Sequence, residues 1–308
     1  MATVLITGGT GLIGKALSAE LMKKGYEVII LSRKSASGLQ SGIRYAQWNI
    51  EEQTIDASAV CSADFIVHLA GANVAEGRWT KTRKKEIFES RSQSAALIIK
   101  GLTENTNKVQ GVISASAIGW YGADPVIPNP KPFVETALPD KSFLGTTCKA
   151  WEESIQPVIA LGKRLVILRT GIVLSNEGGA YKEFKKPLQF GAATILGSGK
   201  QIISWVHIND IVGVYLYAIE NNKIDGVYNA VAPQPVSNKD LILSIAKEKQ
   251  IAVPIHVPEF ALKIALGEMS VEVLKSATVS SKKMEDAGYL FQFPSLEGAV
   301  NNLVITQR

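Results

Sequence analysis

Residues 3–25 read TVLITGGTGLIGKALSAELMKKG, and the order of residue types along them decides the fold. TVLIT at 3–7 is a short apolar, β-branched run bounded by glycine, the composition of a buried strand. From residue 12 onward Ile13, Ala16, Leu17 and Leu21 fall on one helical face, and Gly25 closes the pattern. Between strand and helix lie Gly8, Gly11 and Gly14. A turn this tight lets the backbone amides from Thr10 to Ile13 approach a pyrophosphate at a helix N-terminus, while Gly14 permits close packing of helix on strand. The residues expected to hold a dinucleotide are therefore Gly8, Thr10, Gly11, Leu12, Ile13 and Gly14.

Working outward, the same alternation repeats. EVIILS at 27–32, ADFIVHLAGA at 63–72, GVISASA at 111–117 and RLVILRTGIVL at 164–174 read as strands. Helical patterns run near 83–102 and 146–162, the second kinked or split by Pro157. Strands alternating with helices of this length imply βαβ units and a parallel sheet. Beyond residue 174 glycine becomes frequent and long apolar runs stop, the start of a smaller lobe; 210–232 then offers one more helix and strand for the sheet. The expected class is α/β, a Rossmann-type doubly wound parallel sheet with a smaller C-terminal substrate domain. Its boundaries are expected at 1–174 for the nucleotide-binding domain, with 206–232 returning to it, and at 175–205 and 233–308 for the smaller domain.

Composition narrows the function. The chain has 308 residues, 46% of them apolar, enough for an ordinary core. No run of about 18 apolar residues exists, and MATVLITGG lacks the features of a secretory signal, so a cytoplasmic protein without membrane contact is expected. Cys61 and Cys148 lie far apart and only three histidines occur, which supports neither a disulfide framework nor a metal site. The formal charge of +5 is scattered; its densest cluster, KTRKKE at 81–86, reads as a solvated helix start rather than a nucleic-acid patch.

The end of the second strand selects the dinucleotide. An NAD site places a carboxylate there for the ribose 2'-hydroxyl. This chain has SRKS at 32–35, so Ser32, Arg33 and Lys34 present a hydroxyl and two cations, which suits the 2'-phosphate of NADP(H).

With the glycine turn, HLAGAN, SASAIGWYG, the lysine of CKAWEE and SWVHINDIV in this order, the chain resembles an extended short-chain dehydrogenase/reductase. More narrowly it resembles the atypical sugar-nucleotide epimerase-like group, whose members share RWT followed by SR, CxxWE, LRTGxVL, GSGxQ and SWxHxxD; the likeness runs from Thr7 to about Phe293. The resemblance implies NADP(H) as cofactor. It further implies that Leu69, Ala70 and Gly71 line it, and that Thr170, Gly171 and Ile172 pass near the nicotinamide. Glu86 and Arg91 follow on the next helix; Arg91 can reach the pyrophosphate or a ribose, or form a surface ion pair.

In the wider superfamily a serine orients a substrate oxygen, a tyrosine moves its proton, and a lysine four residues on lowers the phenol's pKa, ordinarily about 10, while holding the ribose. Ser116 matches the serine and Lys149 the lysine, but Gly145 stands four before Lys149 where the tyrosine belongs. Tyr121, Cys148 and His207 are the candidates to fill the gap, with Tyr121 named alongside Ser116 and Lys149 as the catalytic set. Two functions stay open: an NADP(H)-dependent oxidoreductase or epimerase on a small polar substrate such as a sugar nucleotide, or an NADP(H)-binding sensor with no turnover. The expected partner is a small molecule, and the expectation leaves a homodimer open.

Overall fold

A computed structural model describes residues 1–33, 39–40, 42–248 and 253–306; Lys34 of the SRKS stretch lies outside the described residues. The chain builds β1 (Thr3–Thr7), α1 (Leu12–Lys23), β2 (Glu27–Ser32), β3 (Leu39–Gln40), β4 (Ile43–Asn49) and β5 (Thr54–Ile55). Next come α2 (Ala57–Ser62), β6 (Phe65–His68), α3 (Lys81–Glu104), β7 (Gly111–Ala117), α4 (Phe143–Ile155) and β8 (Arg164–Thr170). These strands, with a later one, form a nine-stranded sheet whose order runs β13-β8-β7-β6-β1-β2-β4-β3, where β13 is Gly226–Ala230 and β5 pairs with β4. The pairs from β13 to β4 along this path are parallel.

Period-two alternation explains the two covered faces. Val4 and Ile6 of β1 pack with Leu17 and Leu21 of α1 and with Val214 and Ala218 of α6 (Ile208–Glu220). Leu5, between them, points the other way, among Leu97 and Ile98 of α3 and Ile155 of α4. Because β1 has β2 on one side and β6 on the other, the chain reverses direction there. The ends of β1 and β6 therefore flank the crevice in which an open parallel sheet binds its ligand.

Two boundaries differ from the sequence reading. The helix expected through 162 ends as α4 at Ile155, and Pro157 sits in a 3-10 turn, Gln156–Leu161, that Gly162 closes in the left-handed region at φ +71. The run 164–174 is two strands, β8 and β9 (Ile172–Leu174), broken at Gly171, where an added Cβ would lie 2.6 Å from the Ser204 carbonyl. After β9 the chain makes α5 (Gly179–Leu188), β10 (Ala192–Leu196) and β11 (Ile202–Ile203), and β12 (Trp205–His207) pairs with β9 before α6 and β13 rejoin the large sheet.

It then leaves again through β14 (Val236–Ser237), α7 (Asn238–Glu248), β15 (Val253–Val257) and α8 (Glu259–Leu266) to α11 (Leu296–Ile305), passing α9 (Ser270–Leu274) and α10 (Lys282–Asp286). Tyr181, Leu188, Ile195, Leu241, Ile245 and Leu303 make a separate small core from these parts. Asp124 fastens the late segment to the loop after β7, accepting from Ser276 Oγ at 2.7 Å, Thr278 Oγ1 at 2.8 Å and Thr278 N at 3.0 Å. Among the described residues no helix is long and apolar enough to cross a membrane, and no cluster of histidine, cysteine and carboxylate side chains is arranged for a metal ion.

Candidate functional site

The glycine turn is built by contact. Gly8 has φ +69, and an added Cβ would sit 2.8 Å from the Leu69 carbonyl carbon and 2.9 Å from Ala70 N; at Gly14 it would lie 2.5 Å from Gly8 O. The turn thus lies directly on the end of β6, bringing Gly8, Leu69 and Ala70 together, with Gly11 N donating to Gly8 O at 3.0 Å. Gly11 is the N-cap of α1, so no side chain caps that helix and its first turn carries no acid. The first-turn amides at Leu12 and Ile13 thus have no side-chain cap and stand at the positive end of the helix dipole, an arrangement that suits an anion.

Thr7 locks this corner. Its Oγ1 accepts from Leu69 N and Ala70 N, each at 3.2 Å, so its own proton goes to His68 Nδ1 at 2.8 Å. The histidine is thereby held neutral with its proton on Nε2, facing Ser94 Oγ at 3.4 Å. Burial, with the charge of Arg91 adding to it, pulls His68 down to about 3. His207 caps α6 by accepting from Asn209 N at 3.1 Å, packs at a tilt on Phe293 with ring centroids 4.0 Å apart, and is pulled down to about 4 by burial. A histidine whose folded pKa is depressed stabilises the fold above its unfolded pKa of about 6.5 and loses that contribution as pH falls toward the folded value. Unfolding free energy should therefore drop between about pH 6 and pH 4.5 by on the order of 1.4 kcal/mol per pH unit for each histidine. Burial raises the nearby Asp210 carboxyl, which offsets part of the loss at the acid end. Denaturant midpoints that stay flat across this range would contradict the assignment.

Ser32 and the exposed Arg33 stand at the C-terminal end of β2, the strand next to β1. Thr170, Gly171 and Ile172 form the β8–β9 break, where Gly171 N donates to Ala230 O at 3.1 Å and Ile172 N to Ser204 O at 2.9 Å. Glu86 is exposed on α3 and pairs at 2.6 Å with Arg83, whose NH2 donates to Asn73 O at 2.6 Å in the loop after Gly71. Among the described residues Arg91 forms no ion pair. Its guanidinium lies against Gly71, donates from NH1 to Ala72 O at 3.1 Å and Ile87 O at 2.8 Å, and stacks 4.8 Å from the Trp151 ring.

The lysine on α4 is a correction. Lys149 is 52% exposed and reaches Glu153 at 3.7 Å on the outer face of the helix. Gly145, one turn earlier, has no room for any side chain: an added Cβ would lie 2.2 Å from Asp140 O. The inward pair four apart is Leu144 and Cys148, which approach Gly119 to 3.1 Å and 3.5 Å of where its Cβ would be. The register is shifted by one residue, so an apolar side chain and a thiol occupy the facing positions. Burial, reinforced by the Glu152 charge, pushes the Cys148 thiol up to about 11, so it is protonated and unreactive near neutrality.

Ser116 and Tyr121 meet in a network the sequence reading missed. Ser116 Oγ donates to Glu152 Oε1 at 2.6 Å, and Arg169 grips the same carboxylate through Nε at 2.8 Å and NH2 at 2.9 Å. Arg169 NH1 donates to Tyr121 OH at 3.1 Å, which in turn donates to Asn229 Oδ1 at 2.6 Å. Tyr121 is 0% exposed and burial pushes its phenol up to about 12. Both its donor and an acceptor position are used within this network. The signal for this network was available as Arg169 inside an apolar strand and Glu152 on a buried helix face.

A family model described as the NAD dependent epimerase/dehydratase family matches residues 4–230. The chain belongs to this family. A second model, a domain of unknown function (DUF1731), matches residues 257–303 of the late segment. Within the epimerase family the chain is 34% identical to the epimerase family protein YfhF of Bacillus subtilis, over 99% of both chains. It superposes on the human epimerase family protein SDR39U1, solved with NADPH, with a TM-score of 0.87 and 27% identity over 98% of this chain and 99% of that one. A nucleoside-diphosphate sugar epimerase from Corynebacterium glutamicum gives a TM-score of 0.77 and 31% identity, this chain covering 98% of itself and 58% of that longer protein.

Proposed function

We propose that this chain binds NADP(H) in the crevice at the ends of β1 and β6 and acts as an oxidoreductase or epimerase on a small polar substrate of the sugar-nucleotide class. The observation that carries the reading is the glycine cradle, in which Gly8 and Gly14 leave no space for a Cβ and the start of α1 keeps its amides uncapped. Arg33 at the end of β2 would meet the 2'-phosphate, and Leu69 and Ala70 the middle of the dinucleotide. The human relative solved with NADPH supports the choice of cofactor, and the nucleoside-diphosphate sugar epimerase the substrate class. When bound, the nicotinamide supplies a hydride acceptor or donor. The protein's own part is to hold it, with Ser116 and Tyr121 acting through the Arg169–Glu152 pair to fix the floor beneath.

A second reading, cofactor binding without turnover, is favoured by one observation: Leu144 and Cys148 stand where a phenol and an ammonium would be needed. Both readings require binding, so the first test is a melting curve with and without NADPH; a ligand of the native state must raise Tm. Arg33→Asp should weaken NADPH by more than tenfold and NADH by far less, since only the former loses a charge-assisted contact of about 1.5–3 kcal/mol. Equal loss for both would remove the 2'-phosphate role. Screening carbonyl compounds and sugar nucleotides by nicotinamide absorbance then separates the enzyme from the silent binder.

A further inference from the structure

We propose that the cleft between the start of α6 and the end of α11 is a second ligand site, separate from the cofactor crevice, that takes a small neutral polyhydroxylated molecule of monosaccharide size. The cleft measures about 200 Å³ and is lined by Ser175 and Glu177 from the loop after β9, by His207 and Asn209 from the start of α6, and by Asn302 and Leu303 from α11. His207 is the residue that points to an occupant. Its side chain is 1% exposed, its Nδ1 accepts from Asn209 N at 3.1 Å, and its Nε2 has no partner among the described residues. Since Nδ1 accepts, the proton of the neutral ring sits on Nε2, so a buried N–H in the wall of the cleft lacks an acceptor. Leaving such a donor unpaired is costly, and an oxygen of a bound molecule would satisfy it.

The surrounding groups select the class of molecule. The positive end of the α6 dipole and the His207 N–H disfavour a cation, and the Glu177 carboxylate disfavours an anion. Asp210, the acid in the first turn of α6, is already spent on Gln292 N at 2.7 Å and Phe293 N at 3.0 Å. What suits the cleft is a neutral molecule that offers donors and acceptors together. The side chains of Glu177, Asn209 and Asn302 make no hydrogen bond or ion pair among the described residues, so one carboxylate and two amides are available to hydroxyl groups, each amide both giving and accepting. Leu303 adds an apolar wall for the C–H face of a ring. Asn176 Nδ2 donates to Leu303 O at 2.5 Å and ties the loop after β9 to α11, so the protein's own bonds hold the cleft in shape. The occupant would bridge the two lobes, because α6 packs in the large core and Leu303 of α11 in the small one.

The test is an NMR titration of the full chain that follows the side-chain amide signals of Asn209 and Asn302, with D-glucose and myo-inositol as polyol probes and inorganic phosphate as the anion probe. Both polyols should shift these signals saturably and phosphate should not, with or without saturating NADPH. Asn209→Ala and Asn302→Leu, read at the amide that each keeps, should weaken polyol binding by about tenfold, the scale of one or two neutral hydrogen bonds, while melting like wild type. Absence of a saturable shift with either polyol in wild type overturns the assignment, and so does unchanged polyol affinity in both variants. Phosphate saturating the same signals overturns the neutral class. Displacement of the polyols by NADPH, or by UDP-glucose at lower concentration than D-glucose itself requires, would merge the cleft with the cofactor or substrate crevice and overturn the claim of a second site.

Discussion

Glu152→Ala should cost about 3–5 kcal/mol of unfolding free energy, because it leaves the Arg169 guanidinium buried and uncompensated. The carboxylate and the guanidinium are 6% and 2% exposed, their contact is bidentate, and Ser116 and Tyr121 depend on it from opposite sides. Against a typical domain stability of 5–15 kcal/mol, such a loss is a large fraction of the whole. Arg169 also lies 3.6 Å over the Trp120 ring, so an apolar replacement has a ready partner. The double variant Glu152→Leu with Arg169→Met should accordingly recover much of the stability, since removing both charges removes the desolvation cost. Denaturant unfolding followed by circular dichroism measures both. A single-variant loss under about 1 kcal/mol would show that solvent relaxes around the orphaned charge.

Gly145→Tyr, the substitution that formally restores a tyrosine four residues before a lysine, should disable the protein rather than activate it. Its Cβ alone would sit 2.2 Å from the Asp140 carbonyl oxygen and 2.9 Å from the Asp140 Cβ, and backbone cannot yield as a side-chain tip can. Even Gly145→Ala should lose more than about 3 kcal/mol, the range of severe overpacking. Leu144→Tyr, one residue earlier, should fold with a far smaller loss, because Leu144 is only partly buried. Thermal melting of the three variants decides it. If Gly145→Ala melts like wild type while Leu144→Tyr collapses, the inward register of α4 has been placed wrongly.

What the sequence revealed and what it hid follow from the range of the interactions involved. The turn at 7–14 is legible because everything it needs is local: strand, glycines that admit close contact, and helix are consecutive. The α4 register is not, because a lysine and its fourth predecessor lie on one face whichever way that face turns. Only packing tells that Cys148 is inside and Lys149 outside. The Ser116–Glu152–Arg169–Tyr121 network joins residues 17 to 48 positions apart, so no local pattern encodes it. An isolated arginine within LVILRTGIVL is nevertheless a flag, since a charge in a buried strand demands a partner somewhere. The same run reads as one strand because its apolar pattern continues through Gly171; the break comes from the Ser204 carbonyl, which arrives from a distant segment.

The path of the chain between β8 and β14 carries a last consequence. It quits the large sheet after Thr170, builds part of the small core, comes back to lay down β13 at the sheet's edge, and departs a second time. The smaller lobe is stitched into the larger one rather than appended to it. It cannot be exchanged whole by splicing at a single junction, because a cut after Thr170 takes the β13 edge strand with it and a cut after Ala230 leaves α5 and β10 behind. Variation in what this lobe recognises must instead accumulate in its loops and side chains, over a scaffold whose two parts are inherited together.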